Sequence, residues 1–456
     1  MITPEIIEKY NVPVPRYTSY PPANFFHENF TAGNYLEAIN ASNQSNPSHI
    51  SFYLHIPFCR HMCHYCGCNS FPMMKQENID RYVRAIFKEI DLIKPLLNKN
   101  RKIAQIHYGG GTPTVLPVDV LKAINEKLLE GFDTIDRPEI AIECHPGYLD
   151  EKYWLGLTEA HFNRFSLGVQ DFNSDVLKAV NRKPSLIPIE DVYQILRNNG
   201  ARINMDFIYG LPLQTVDGFA QTIEKAIQLQ PDRLVTFSYA HVPWVSKRQM
   251  ILEKIGLPDS QTKKALFETA CQLLKEANYH TIGMDHFVKA DDELFIASQN
   301  KQLHRNFQGY CTRRTTGQVY AFGVTGIGQL STAYIQNTKT IEKYMTQIES
   351  NILPIFKGYQ LNAQEQIARF VIESLMCNYA VNWEEASAHL NTTKVDILKA
   401  LQYDEIKLKE FQEDGLITLT NTGIEMTEEG KLFVRNVAAS LDPLMINTTK
   451  QFSKPV

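Results

Sequence analysis

Four cysteines crowd into ten residues, Cys59, Cys63, Cys66 and Cys68, within His55-Ile56-Pro57-Phe58-Cys59-Arg60-His61-Met62-Cys63-His64-Tyr65-Cys66-Gly67-Cys68. Thiolates repeated every three or four residues can wrap one small inorganic centre, because soft sulfur suits zinc, copper(I) and iron–sulfur clusters. A structural zinc held by all four is the plainest alternative, but zinc ribbons present two separated cysteine pairs and these lie in one compact loop. Four cysteine ligands on an iron–sulfur cluster would close its coordination and favour simple electron transfer. Cys144, Cys271, Cys311 and Cys377 are scattered, and eight cysteines in 456 residues are too few for a disulfide scaffold.

Other residue types suited to chemistry recur at regular stations. Gly109-Gly110-Gly111-Thr112-Pro113 lacks the side chains that would keep backbone groups away from a ligand, and no Gly-Lys-Ser/Thr follows to make a phosphate loop. Glu143, Gln170, Asp206 and Ala240-His241 complete the series; Asp206 interrupts an apolar run, where a carboxylate without a partner would be costly.

The elements that must position these residues are six short β-branched and aromatic runs alternating with helical periodicity. They are Ser51–Ile56, Ile103–Tyr108, Glu139–Glu143, Arg164–Val169, Arg202–Ile208 and Arg233–Tyr239. Between them, Ile79, Tyr82, Val83, Ile86, Ile90 and Ile93 follow helical spacing until Pro95; Asp191–Asn199 ends at Gly200, and Phe219–Leu229 ends before Pro231. Repeated βα units predict a parallel sheet with right-handed crossovers, and each unusual residue lies at or just beyond a strand's carboxyl end, where α/β proteins build their sites. The fold class is therefore α/β, an incomplete (β/α)6 TIM-like barrel.

Two appendages are expected. Residues 1–45 place Pro13, Pro15, Pro21 and Pro22 around Arg16-Tyr17-Thr18-Ser19-Tyr20, which favours an extended N-terminal arm. Residues 46–350 would form the barrel with its extensions, and 351–456 a mainly helical, winged-helix-like C-terminal domain: helices at Gln364–Cys377 and Lys394–Leu401, then a hairpin of Ile417–Thr420 and Ile424–Thr427. A winged helix often binds nucleic acid, but the chain carries a net charge of −4 and no basic run here, so an accessory lid or packing role is preferred. Apolar residues at 44% and charged residues at 21% exclude a disordered or fibrous chain. The absence of an apolar run long enough to span a bilayer, or of a signal-peptide core in 1–11, predicts a soluble cytoplasmic protein.

The C-x3-C-x2-C run resembles the radical S-adenosylmethionine superfamily, in which three cysteines hold a [4Fe–4S] cluster and one iron is left for the cofactor's amino and carboxylate groups. That resemblance implies that Cys59, Cys63 and Cys66 are the ligands and leaves Cys68 over. Further blocks narrow it: Pro15-Arg16-Tyr17-Thr18-Ser19-Tyr20-Pro21, Tyr53-Leu54-His55-Ile56-Pro57-Phe58-Cys59, Cys66-Gly67-Cys68, Gly168-Val169-Gln170-Asp171-Phe172-Asn173, Asn181-Arg182, Asp206-Phe207-Ile208-Tyr209-Gly210-Leu211-Pro212, Tyr239-Ala240-His241, Gly283-Met284-Asp285-His286-Phe287 and His304-Arg305-Asn306-Phe307-Gln308-Gly309-Tyr310. In this order they resemble the family of oxygen-independent coproporphyrinogen III oxidases. Two positions depart from the family pattern: Cys311 stands where threonine is expected, and His145 where aspartate is common before Pro146.

The resemblance implies oxidative decarboxylation of two propionates of coproporphyrinogen III to vinyl groups, giving protoporphyrinogen IX for haem synthesis, through a 5′-deoxyadenosyl radical. It implies two S-adenosylmethionine molecules per site. The first would contact Tyr53, Gly110, Glu143, Ala240 and Ile327; the second Tyr65, Gly111, Thr112, Gln170, Arg182 and Asp206, with Gln308 near the shared pocket. Cys59, Cys63, Cys66, Tyr53 and Gln308 form the expected catalytic set. Arg16 and Arg305, then Arg313 and Arg314, are candidates to bind propionate, since guanidinium matches carboxylate geometry; Tyr17, Tyr20 and Tyr310 could supply flat aromatic contacts. Expected partners are the tetrapyrrole, an electron donor for the cluster and a terminal electron acceptor; neither nucleic acid nor membrane is expected, and the chain should be monomeric. The competing readings are a haem-binding chaperone of the same superfamily, another radical enzyme acting on tetrapyrroles, and a winged-helix redox regulator. The arm, the His304–Tyr310 block and the additional Cys68 weigh against the chaperone.

Overall fold

In the computed structural model, residues 3–244, 246–312 and 317–452 are described. Arg313 and Arg314 lie outside these residues. The six expected strands form as β1 (Ile50–Ile56), β2 (Ile103–Gly110), β3 (Thr134–Cys144), β4 (Arg164–Gln170), β5 (Arg202–Tyr209) and β6 (Arg233–Ser238). Later segments add β7 (His280–Ile282), β8 (His286–Val288), β9 (Leu303–Asn306), β10 (Gly309–Thr312), β11 (Gln318–Phe322), β12 (Ile327–Gln329), β13 (Ala333–Asn337) and β14 (Ile355–Gln360).

The main sheet has twelve strands in the order β14-β13-β12-β11-β1-β2-β3-β4-β5-β6-β8-β7, and its two edges do not pair. The central run is parallel, and β11 is a seventh parallel strand, with Tyr53 opposite Ala321 in the β1–β11 register. The six-unit barrel is thus extended: β11 joins beside β1, and antiparallel strands flank both ends. β11 does not continue the βα rhythm, because the antiparallel strands β7–β10 come between it and β6.

Strand alternation sorts the side chains. Phe52, Leu54 and Ile56 on β1, Phe165 and Leu167 on β4, and Ile203, Met205 and Phe207 on β5 are all buried beneath the helices. The alternate positions, Tyr53 and His55, Ser166 and Gly168, Asn204 and Asp206, face the other way, toward the barrel interior. The helix Gln76–Ile93 shows the matching pattern, burying Ile79, Tyr82, Ile86, Ile90 and Ile93 against the sheet before Pro95.

The arm differs from the expected extended segment. Residues 11–22 have no regular structure, but helices occupy Pro4–Tyr10 and Ala32–Ser42, each N-capped by a threonine. Tyr10, Val14, Tyr17, Tyr20 and Phe26 share one hydrophobic core with the C-terminal residues Leu375, Trp383, Phe411, Phe433 and Val437. The Tyr17 and Tyr20 hydroxyls both donate to Asp442, at 2.8 and 2.9 Å. Both tyrosines are buried and tied to this carboxylate, which corrects the expectation that they offer ring faces to a ligand. The C-terminal hairpin β16 (Ile417–Thr420) and β17 (Gly423–Met426) gains a third strand, β15 (Ala380–Asn382), beside β17.

Candidate active site

The cysteine loop leaves β1 at Ile56 and is pinned at both ends. Phe58–Cys59 pairs with Phe71–Pro72: Phe71 N–H donates to Pro57 O at 2.7 Å and Met73 N–H to Cys59 O at 3.1 Å. From the far side, His64 N–H donates to Val180 O at 3.0 Å, and Asn181 Nδ2 donates to Met62 O at 3.0 Å. The glycine loop packs beneath it through two ladder-like bonds, Gly111 N–H to Ile56 O at 2.8 Å and Thr112 N–H to Phe58 O at 3.0 Å. Only glycine suits this contact. Gly110 adopts φ +111° and a Cβ there would lie 2.7 Å from the His55 ring; one at Gly111 would lie 2.7 Å from the Pro57 carbonyl carbon.

Each of the three thiols in the C-x3-C-x2-C run faces its own donor. Thr112 Oγ1 lies 3.5 Å from Cys59 Sγ, Arg182 Nη1 3.6 Å from Cys63 Sγ, and Cys68 N–H 3.4 Å from Cys66 Sγ. All eight cysteines are free, and the interaction with Cys68 holds Cys66 down to about 6. Among the described residues, no trio of His, Cys, Asp and Glu side chains is arranged to hold a single metal ion. Three separate sulfurs, each met by a hydrogen-bond donor and backed by a side-chain-free loop, suit a cubane cluster, whose potential is tuned by such bonds.

A cavity of about 560 Å³ opens beside the loop, lined by Tyr53, His55, Cys68, Glu143, Phe307, Gln308, Thr325 and Ile327 among others. Four of the expected site residues, Tyr53, Glu143, Gln308 and Ile327, therefore meet in one place. Tyr53 Oη lies 3.1 Å from His55 Nδ1, and His55 Nε2 lies 3.0 Å from Asn69 O. Burial pushes the His55 pKa down, so the ring is a neutral bridge. Glu143 Oε1 lies 3.2 Å from His107 Nε2, with the carboxylate still 44% exposed.

A second group surrounds the half-buried Arg182. Its guanidinium donates to Tyr65 Oη at 3.0 Å and to Gly168 O as well as to Cys63. Gln170, at φ +71°, presents a buried Oε1 without a partner. Asp206 accepts from Ser166 Oγ at 2.7 Å; burial raises its pKa to about 6, against that hydrogen bond, and Glu143 adds to the rise. Ala240 stands apart on the exposed stretch after β6, its carbonyl 3.2 Å from Gln249 Nε2.

Gln249 was not legible in the sequence. It is buried, donates to Tyr65 O at 2.8 Å and accepts from Val242 N–H at 2.6 Å, stitching the cysteine loop to the segment beyond β6. It lies in a short 3-10 turn with no motif around it. His107 could have been found from strand alternation, since it faces Tyr53 in the β1–β2 register.

Of the propionate candidates, Arg16 and Arg305 fall among the described residues, and neither lines the cavity. Arg305, on β9, lies 4.9 Å over the Tyr310 ring, and its Nε and Nη1 are buried without hydrogen-bond partners. Arg16 is exposed on the arm, and its charge reaches Tyr209, Lys263, Asp285 and Arg435. Burial pushes Asp285 up but is outweighed by its hydrogen bond to His286 and by the charges of His286, Arg305 and Arg16.

A parallel α/β sheet with a three-cysteine loop after its first strand and a glycine loop after its second defines a radical S-adenosylmethionine protein. Residues 53–226 match the model of the Radical SAM superfamily, and residues 361–433 match that of the HemN C-terminal domain. Oxygen-independent coproporphyrinogen III oxidases are similar along their whole length: that of Synechocystis is 37% identical over 99% of this chain and 97% of its own, and that of Helicobacter pylori J99 38% over 99% and 98%. The solved structure of coproporphyrinogen III oxidase from Escherichia coli, a radical SAM enzyme, superposes with a TM-score of 0.87 at 35% identity, covering 94% of this chain and 97% of that one. The chain belongs to the family of oxygen-independent coproporphyrinogen III oxidases, and with that membership come a [4Fe–4S] cluster and S-adenosylmethionine. Among the described residues no helix is long and apolar enough to cross a membrane.

Proposed function

We propose that this protein oxidatively decarboxylates two propionates of coproporphyrinogen III to vinyl groups, giving protoporphyrinogen IX. The observation that carries this reading is the cavity in which Tyr53, Cys68, Glu143, Gln308 and Ile327 converge beside the cysteine loop. Cys59, Cys63 and Cys66 would hold the cluster. Two S-adenosylmethionine molecules would bind, the first held by Tyr53, Gly110, Glu143, Ala240 and Ile327, the second by Tyr65, Gly111, Thr112, Gln170, Arg182 and Asp206, with Gln308 near the shared pocket.

When bound, the cluster and S-adenosylmethionine supply a 5′-deoxyadenosyl radical, the hard part of the chemistry. The protein's own residues position and shield. Thr112, Arg182 and the Cys68 backbone direct hydrogen bonds at the sulfurs. Glu143 and Asp206 offer carboxylates to ammonium or ribose hydroxyl groups, and Phe307 with Ile327 excludes water. At the substrate, a hydrogen atom would pass from the propionate β-carbon to the deoxyadenosyl radical, the bond between the α-carbon and the carboxyl group would break to release carbon dioxide, and one electron would pass to an acceptor as the α–β double bond forms. An electron donor, a terminal acceptor and a monomeric state complete the reading.

Arg305 supports a carboxylate substrate. A buried guanidinium edge without a partner is costly, and a propionate would supply the missing acceptors. The test is to reconstitute the protein anaerobically with iron and sulfide, add a strong reductant, and follow 5′-deoxyadenosine and carbon dioxide with and without coproporphyrinogen III. Coupled release of both, abolished in Cys59→Ala, is the expected result. A loaded cluster that cleaves cofactor without releasing carbon dioxide would overturn it in favour of a carrier.

A further inference from the structure

Next to the cysteine loop, among residues that do not line the cavity, the structure gathers cations around one aromatic ring. Tyr148 follows β3 in a 3-10 turn. Arg60 Cζ lies 5.4 Å and Lys183 Nζ 5.3 Å from its ring centroid, on the loops after β1 and β4 respectively. His61 stacks on the ring at 5.7 Å, its Nδ1 2.6 Å from the Tyr148 hydroxyl. Arg60, His61 and Lys183 are exposed, and among the described residues none of them lies within ion-pair distance of a carboxylate. The chain as a whole carries a net charge of −4, so attraction of an anionic partner has to come from a local group of cations such as this one.

The patch lies against the sulfurs. The charges of Cys63 and Cys59 act on the Tyr148 hydroxyl, alongside those of Arg182 and Arg60. Lys183 is chain neighbour to Arg182, which reaches Cys63 Sγ at 3.6 Å. None of the patch residues lines the cavity, so a protein bound here would leave the substrate's way in open.

His145 sharpens the point. Its imidazole packs 4.8 Å from the Tyr148 ring and is buried. Its Nδ1 accepts from Gly147 N–H at 3.1 Å, as an aspartate oxygen would. Burial first, and then the charge of Arg182, push its pKa down to about 2, so it is neutral. It therefore holds the turn without placing a negative charge beside Lys183.

We infer that Arg60, His61, Tyr148 and Lys183 form the docking surface for an acidic one-electron carrier protein, which reduces the cluster from a surface that does not line the cavity. The inference rests on the radical reading above, which requires an electron from outside the chain before the cofactor can be cleaved. In the step, the carrier loses one electron and the cluster gains it; no bond is made or broken. Charges at such a rim govern the encounter rate and its salt dependence more than the depth of binding.

The test uses the reconstituted full chain and a bacterial flavodoxin, an acidic flavoprotein, in its fully reduced form. Binding is titrated from low to moderate salt, and 5′-deoxyadenosine formation is followed with flavodoxin or with dithionite as reductant. Arg60→Glu/Lys183→Glu should weaken binding about ten-fold or more at low salt and flatten its salt dependence. His145→Asp should weaken it a few-fold in the same direction. With dithionite, both variants should match the wild type in rate and in the electron-paramagnetic signal of the reduced cluster. Unchanged flavodoxin binding in the double variant would overturn the surface, as would an equal loss of rate with both reductants. Salt-dependent binding by a wild type that forms no 5′-deoxyadenosine with dithionite would overturn the radical reading and leave the docking surface standing.

Discussion

Arg182 joins three parts of the site through one guanidinium: the Cys63 sulfur, the Tyr65 hydroxyl and the Gly168 carbonyl. Arg182→Met would remove its hydrogen bonds to the half-buried Tyr65 hydroxyl and Gly168 carbonyl, at a cost of about 1–3 kcal/mol, which urea denaturation would measure. Cofactor cleavage should fall much further, because Tyr65 and Cys63 lose their common anchor. Asp206 carries a pH prediction. Its folded pKa, raised to about 6 from 3.8, means that the folded state holds a proton that the unfolded chain has released. Stability should therefore fall as pH rises from about 4 to 6, by about 2–3 kcal/mol at most, and Asp206→Asn should flatten that slope in denaturation series across the range. A bound ammonium beside the carboxylate would favour its ionised form and counter the same trend. Sequence alone singled out Asp206 because a carboxylate in an apolar strand demands a reason; it could not expose Gln249, whose partners are backbone groups of Tyr65, Ala240 and Val242.

Among the elements, the junction of cysteine loop and glycine loop is the least tolerant of change. Gly110→Ala combines a disfavoured φ of +111° with a clash against the His55 ring, so the loop must shift. The expected outcome is a folded protein with weakened cofactor affinity and cleavage reduced about a hundred-fold or more, read by equilibrium binding and 5′-deoxyadenosine assay. Gln249→Leu should leave the barrel intact but free the Tyr65 carbonyl, raising amide hydrogen exchange at Val242 and lowering cluster occupancy. The six βα units were legible because each strand announces itself by β-branched and aromatic residues and is followed by a helical stripe. β11 was not, although Gln318–Phe322 is wholly buried, because it joins the parallel run from the far end of the chain beside β1. Likewise the prolines at 13–22 marked an irregular segment correctly, while the capped helices on either side lacked a strong apolar stripe.

Across the whole molecule, the arm and the C-terminal helix Val434–Leu441 are one packing unit. Arg435 Nε donates to Pro15 O at 3.0 Å, Asn436 Nδ2 to Tyr10 O at 2.8 Å, and Asp442 accepts from both Tyr17 and Tyr20. Asp442→Ala would strand two buried hydroxyls and should destabilise the protein by about 2–4 kcal/mol in denaturation. Because Arg16 is held between Pro15 and Tyr17, the same variant should raise the KM for the tetrapyrrole more than it lowers kcat with dithionite as reductant. The pairing also bears on how the chain is made. Residues near 10–20 leave the ribosome well before their partners near 435–442, because these contacts span 425 and 420 residues of sequence. Until those partners emerge, Tyr10, Tyr17 and Tyr20 lack this cover, and their burial is a late event with an aggregation-prone interval before it.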